Sequence, residues 1–286
     1  MEDLLHYAFL QRALLMAMLG GAVCGAIGVF VVLWRMSLVG MCISHAAFAG
    51  ALLALWLGVP PLAGGLAASL GAASAVGPLA ERPGFSLDTA MGVVFSVVMS
   101  LAMLALGLMP GARTEGLSLI WGSLLTVTRL DLQLMSATAL LLLGFVFLFF
   151  KEIEAIMGQK HAAAAAGIPV RRIYYACLML MGLVVAFALK AIGGLLIYAL
   201  IVTPAATALQ LTYRLNRMFW IAALLGAIAS VAGLWLSFLW AVPPGAVIVL
   251  FSSAMLIVSM IFSPKNRGRA IKPVQNQQHG KRPEEA

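Results

Sequence analysis

Two hundred and eighty-six residues, 63% hydrophobic and only 10% charged at a mean hydropathy of +1.05, cannot cover a water-facing surface, because an ordinary globular chain carries about 25% charged residues. A soluble enzyme, a nucleic-acid-binding domain and a disordered chain are excluded, and long apolar runs in place of short alternating ones exclude an outer-membrane barrel. The net charge of +8 gathers at one end: Lys265, Arg267, Arg269, Lys272, Lys281 and Arg282 stand against only Glu284 and Glu285, leaving twelve basic and eight acidic residues upstream.

Runs of about 20 apolar residues predict spanning helices over 8–34, 39–58, 61–80, 88–109, 132–150, 172–191, 193–212, 218–240 and 243–262. The fold class is an all-α polytopic membrane protein with eight or nine transmembrane helices. Segment 116–127 is apolar but too short to cross, and reads as re-entrant or interfacial. Breakers fall where turns are needed, at Val59-Pro60-Pro61, Pro110-Gly111, Ile192-Gly193-Gly194 and Val242-Pro243-Pro244-Gly245. The acidic start (Glu2, Asp3) and the long first run argue against a removable signal peptide. Arg35, Arg82, the stretch 151–172, Arg214, Arg217 and the tail share one side, which the positive-inside rule makes cytoplasmic together with the C-terminus. Residues 1–263 form the transmembrane domain, and 264–286 a basic, disordered cytoplasmic tail. Cys24, Cys42 and Cys177 all lie in apolar segments, so no disulfide framework is expected.

The loop 151–172 is unusually long. Five alanines, 162–166, favour helix; Gly167 is placed to end it and Pro169 prevents its continuation. Such a helix suits docking to a partner, the alternative being a connector that touches nothing.

No P-loop, HExxH or GxSxG motif is present, and no carboxylate falls in the middle of a span. His45 is the one ionisable residue well inside an apolar run that could bind something. Met41 and Cys42, four and three residues before it, share its helical face, and imidazole, thiolate and thioether are all metal ligands. A lone histidine that hydrogen-bonds a neighbouring helix is the competing reading. Lys190, at a segment end, is expected to snorkel to the interface. The glycines at 20, 21, 25, 28, 64 and 65 are expected to let helices approach closely.

Four stretches together carry a resemblance. Arg35-Met-Ser-Leu-Val-Gly-Met-Cys-Ile-Ser-His-Ala-Ala-Phe-Ala-Gly50 resembles a Gly-Asp-x-x-Ser-His-x-x-x-x-Gly helix. Leu87-Asp-Thr-Ala-Met-Gly-Val-Val-Phe-Ser96 and Leu119-Ile-Trp-Gly-Ser-Leu-Leu125 follow in order. The last runs from Ala188-Leu-Lys-Ala-Ile-Gly-Gly-Leu-Leu196 through Leu200-Ile-Val-Thr-Pro-Ala-Ala-Thr-Ala208. Over about residues 8–262 the chain resembles the membrane permease subunit of metal-ion ABC importers of the zinc/manganese/iron type. The resemblance implies a homodimer, two cytoplasmic ATPase subunits and an extracytoplasmic metal-binding protein, with ATP hydrolysis on the separate subunits and no cofactor held by this chain. It implies that 151–172 is the helix coupling permease to ATPase, with His161, Ala163 and Gly167 as contacts, although Gln159-Lys160-His161 departs from the family's acidic-proline start. It also implies metal contact at His45, where Met41 replaces the family's Asp and Ser123 stands where an acid is frequent. Replacing a hard oxygen donor by Met41 and Cys42 favours a softer metal, so zinc is expected first, with manganese or iron next. The alternatives are a permease for a metal chelate or other small cofactor, or a non-transporting scaffold or sensor.

Overall fold

The computed structural model describes residues 8–84, 86–108, 119, 122–194 and 196–263; the tail 264–286 and most of the first half of segment 116–127 lie outside them. The chain runs through α1 (Ala8–Leu33), α2 (Ser37–Trp56), α3 (Pro61–Ala80) and α4 (Leu87–Leu108). A 3-10 turn (Leu124–Thr126) precedes α5 (Arg129–Leu148), α6 (Phe150–Gly158), α7 (Lys160–Ala165) and α8 (Val170–Ile192). It ends with α9 (Ile197–Leu211), α10 (Leu215–Trp240) and α11 (Pro244–Ile261). Eight of these, α1–α5, α8, α10 and α11, are long and apolar enough to cross a membrane. In hydrocarbon every backbone N–H and C=O must be satisfied within the chain, which is why long apolar runs become helices.

The ninth apolar segment is shorter. The 15 residues of α9 rise about 22 Å, less than the roughly 30 Å of a hydrocarbon core. Its first turn nevertheless follows Gly194, whose N–H donates to Leu119 O at 3.0 Å. Its last turn holds Gln210, whose carbonyl accepts from Ser263 Oγ at 3.0 Å. The two ends of α9 therefore lie at opposite ends of the bundle. No residue from 197 to 210 is exposed: α1, α10 and α11 enclose the helix. The end marked by Ser263 also carries Arg35, Arg82, α6, α7, Arg171, Arg172, Arg214 and Arg217, and the opposite end carries Asp131 and Lys190.

Two glycine-mediated crossings organise the bundle. On α1, a Cβ on Gly21 or Gly25 would run into the α10 backbone at Gly226 and Ala222, and Gly226 meets Gly21 in return. On α2, Gly50 meets Gly64 of α3 in the same reciprocal way. Helix axes come this close only where no side chain intervenes, and dispersion and weak Cα–H···O contacts then replace the hydrophobic drive that lipid lacks. One group of helices is thus α1, α9, α10 and α11, and a second is α2, α3 and α4. α8 packs against α1, α2 and α3, whereas α1 and α2 scarcely touch each other. The outer faces of α4 and α5 stay uncovered, with Val97, Leu104, Leu140 and Phe147 exposed.

Gly226→Val should therefore force α1 and α10 apart and cost at least about 2 kcal/mol. Gly144 on α5, whose Cβ direction is empty, should accept valine without loss. Thermal unfolding of the purified variants in detergent checks the pair.

Candidate functional site

α2 carries the imidazole about 12 Å into its length, eight residues after Ser37 at 1.5 Å each. His45 Nδ1 lies 2.8 Å from the backbone carbonyl of Met41. A carbonyl only accepts, so Nδ1 carries the proton and donates to it, which in the neutral tautomer leaves the lone pair on Nε2. Ser44 Oγ donates to the same carbonyl at 3.0 Å and lies 3.4 Å from Nδ1. The ring stands edge-on to Phe95 of α4, 5.1 Å between centroids at 72°. Nε2 makes no hydrogen bond among the described residues. A ring whose Nδ1–H is held by a carbonyl while Nε2 stays open has the arrangement of a metal-binding histidine.

The three residues singled out by spacing divide. Met41 and His45 share one partly exposed strip of α2. Cys42 does not join them: it is 1% exposed, and its Sγ–H donates to Met91 O of α4 at 3.2 Å. A 100° step per residue turns it into the α2–α4 interface. Among the described residues no three His, Cys, Asp or Glu side chains gather closely enough to hold a metal ion. What α2 offers is one nitrogen and, on the same strip, one thioether, too few donors for a closed metal cage.

At the basic end, the single helix expected over the alanine run is preceded by another. Gln159 is extended (φ −149°, ψ 102°) and separates α6 from α7. α7 then ends as the alanine–glycine pattern requires: Gly167 takes φ +83°, and Ile168 N–H donates to Ala163 O at 3.1 Å. Ala163 is buried, whereas His161, Ala162, Ala164, Ala165 and Gly167 are exposed. Lys160 Nζ sits 5.9 Å over the ring of Tyr174 and fixes α7 to the first turns of α8. Beside α6 opens a cleft of about 580 Å3, bounded by Leu33, Glu154, Tyr213, Arg214 and Arg217. None of its lining residues comes from α2 or α4, so it is separate from the His45 strip.

At the opposite end, Lys190 does not simply snorkel. Its Nζ donates to Asp131 Oδ2 at 3.0 Å, with the Asp131 side chain 13% exposed and that of Lys190 42%. The same carboxylate oxygen accepts from the N–H and the hydroxyl of Thr128, both at 2.8 Å, which makes Thr128 and Asp131 the capping box of α5. Ser123 N–H donates to Lys190 O at 2.9 Å. Gly122, at φ +70°, rests its backbone against Ile192 and Gly193 where a Cβ would collide. Segment 116–127, as far as it is described, thus folds back on the α8–α9 break with Leu119, Leu124 and Val127 buried. The pairing of Asp131 and Lys190 was missed in the sequence because 59 residues separate them. The one local signal was Thr128-x-x-Asp131.

A polytopic helical bundle with a basic end, a two-helix element on that end and an open imidazole inside one span has the architecture of a transport permease. Residues 6–263 match the ABC 3 transport family, and the chain belongs to it. It is 34% identical over 264 residues, 92% of this chain and 90% of the relative, to the manganese transport system membrane protein MntC of Halalkalibacterium halodurans. It is 31% identical to the chelated iron transport system membrane protein YfeD of Yersinia pestis, over 90% of this chain and 86% of that one. Among solved structures, a chain of PsaBC from Streptococcus pneumoniae in complex with Fab superposes at a TM-score of 0.85, with 31% identity and coverage of 95% of this chain and 98% of that one.

Cys42, like the buried Cys24 and Cys177, should resist a membrane-permeant maleimide in the folded protein and react only after unfolding. Rapid labelling of Cys42 in the native state, read by intact mass, would return the thiol to the His45 strip.

Proposed function

We propose that this chain is the permease subunit of an ABC importer for a divalent first-row transition metal. It would act as a homodimer in a prokaryotic plasma membrane, with two ATPase subunits on the basic, cytoplasmic end that also bears the C-terminus, and an extracytoplasmic metal-binding protein opposite. The chain itself hydrolyses nothing. The observation that carries the reading is the His45 imidazole, fixed by the Met41 carbonyl with Nε2 open in the middle of a span, where ionisable groups are kept for function.

The metal follows from the donors. With Cys42 held by Met91, the soft set expected from the sequence shrinks to one thioether beside one imidazole, and imidazole serves iron and zinc alike. The relatives described above are named for manganese and chelated iron, which moves manganese or iron ahead of the zinc expected from Met41. A single passing contact is weakly selective, so discrimination rests with the binding protein that delivers the metal. The chelated-iron relative favours one second reading, delivery of iron as a chelate through the same path.

Coupling would run through α6 and α7. The exposed alanines of α7 give a small, flat surface suited to a groove on an ATPase, with His161 and Gly167 at its two ends and Ala163 holding it to the bundle. Gly167→Arg would add backbone strain at φ +83° to its bulk, so Ala165→Arg, on an exposed helical position, is the cleaner probe. It should abolish co-purification of the ATPase while leaving the fold intact.

The deciding experiment measures cellular manganese, iron, cobalt, nickel, copper and zinc by mass spectrometry. The strain lacks its own importers and expresses this chain with its ATPase and binding protein. Manganese or iron should accumulate, and His45→Ala should reduce the gain at least tenfold. Met41→Asp should retain uptake, because the orienting group is the backbone carbonyl of residue 41. Zinc-selective gain would restore the softer-metal expectation, gain only with a supplied iron chelate would favour the second reading, and no gain from an assembled complex would reject transport.

A further inference from the structure

The helices α5, α6, α7 and α8 form one continuous stretch, and the structure closes it into a frame. α5 and α8 are the two legs, running antiparallel between the ends of the bundle. At the basic end α6 and α7 join them, α6 starting directly from α5 at Phe149–Phe150 and α7 fastened to α8 by Lys160 over Tyr174. At the other end the legs meet through Lys190 and Asp131. α8 is an uninterrupted helix of 23 residues, about 34 Å long, so a displacement of its first turn reaches its last.

α5 is the weaker leg. Most of its surface faces outward, with Leu140, Leu141, Leu143 and Phe147 exposed. The Lys190–Asp131 pair is the one ionic link between the legs among the described residues. We propose that Lys190 and Asp131 are positioning residues for transport: their ion pair closes the frame, so that a movement imposed on α6 and α7 is delivered to the far ends of α5 and α8 together. The inference rests on the permease reading above. With the pair gone, the push on the crossbar would splay the legs instead of moving the turn at Gly122 and Ser123 that leans on α8.

Neutral substitutions separate this role from simple stability. Asp131→Asn keeps a side-chain oxygen to accept from Thr128 N–H and so spares the α5 cap. Lys190→Met leaves a largely buried carboxylate without its counter-charge and should lower the unfolding temperature. The double variant K190M/D131N removes that stranded charge and should recover stability, yet the frame stays open. Lys190→Arg retains the link.

The test uses the complete complex of chain, ATPase and binding protein in liposomes, read as manganese moved per ATP hydrolysed and as stimulation of the ATPase by the binding protein. K190M and K190M/D131N should both lose about fivefold in metal per ATP and lose the stimulation, at an undiminished basal ATPase rate. K190R should match wild type, and the unfolding temperature of the double variant should return toward the wild-type value. Wild-type stoichiometry in the double variant would overturn the proposal, as would a coupling loss that merely follows stability and is repaired in the double variant. A wild-type complex that responds to the binding protein but moves no metal would instead reject the permease reading, and the double variant's response to the binding protein would then decide the frame.

Discussion

Where Gly21 of α1 meets Gly226 of α10, two backbones touch with nothing between them, and the remaining architecture is arranged around that contact and its counterpart at Gly50 and Gly64. Lipid tails are as apolar as leucine, so helices gain little by hiding side chains from them; they gain by packing atoms more densely than lipid can. The closest approaches occur at glycine and alanine, and they divide the bundle into two groups with α8 between them. The large aliphatic residues mostly fill space around these crossings or face outward.

The strip of α2 that bears His45 uses backbone in a second way. Met41 influences His45 through its carbonyl, which selects the tautomer and aims the ring. A change of side chain at position 41 alters the donors beside the imidazole without disturbing the imidazole itself. The strip can therefore drift in chemical softness while its central nitrogen stays where it is, and Cys42, one residue on, is occupied in holding α2 to α4.

The sequence made the spans legible because each is decided by its own composition. All nine apolar segments correspond to helices, with ends displaced by a few residues where a cap or turn sets the boundary, as at Thr128, whose capping box with Asp131 begins α5 at Arg129, three residues earlier than hydropathy alone suggests. His45 was legible for the same local reason: an ionisable group in hydrocarbon is conspicuous. What depended on partners was hidden. The orientation of Cys42 required α4, and the partner of Lys190 lay 59 positions away; the break at Gln159, by contrast, had a local signal in Gly158, the last residue of α6. The fold-back of Gly122 and Ser123 onto Lys190, Ile192 and Gly193 was foreshadowed only by the shortness of its apolar run.

The enclosure of α9 bears on how such a protein is made. A 15-residue helix with Pro204 in its interior and carrying Thr203 and Thr207, the former bonded to Ser252 of α11 at 2.8 Å, is a poor independent resident of a bilayer. Its seat is built from α1, synthesised well before it, and from α10 and α11, synthesised after it. The group that holds α9 cannot be completed until α10 and α11 have entered the membrane, so α1 must wait through most of synthesis with Gly21 and Gly25 unfilled. A chain interrupted before α10 would leave α1 with Gly21 and Gly25 unfilled and α9 without two of the three helices that enclose it.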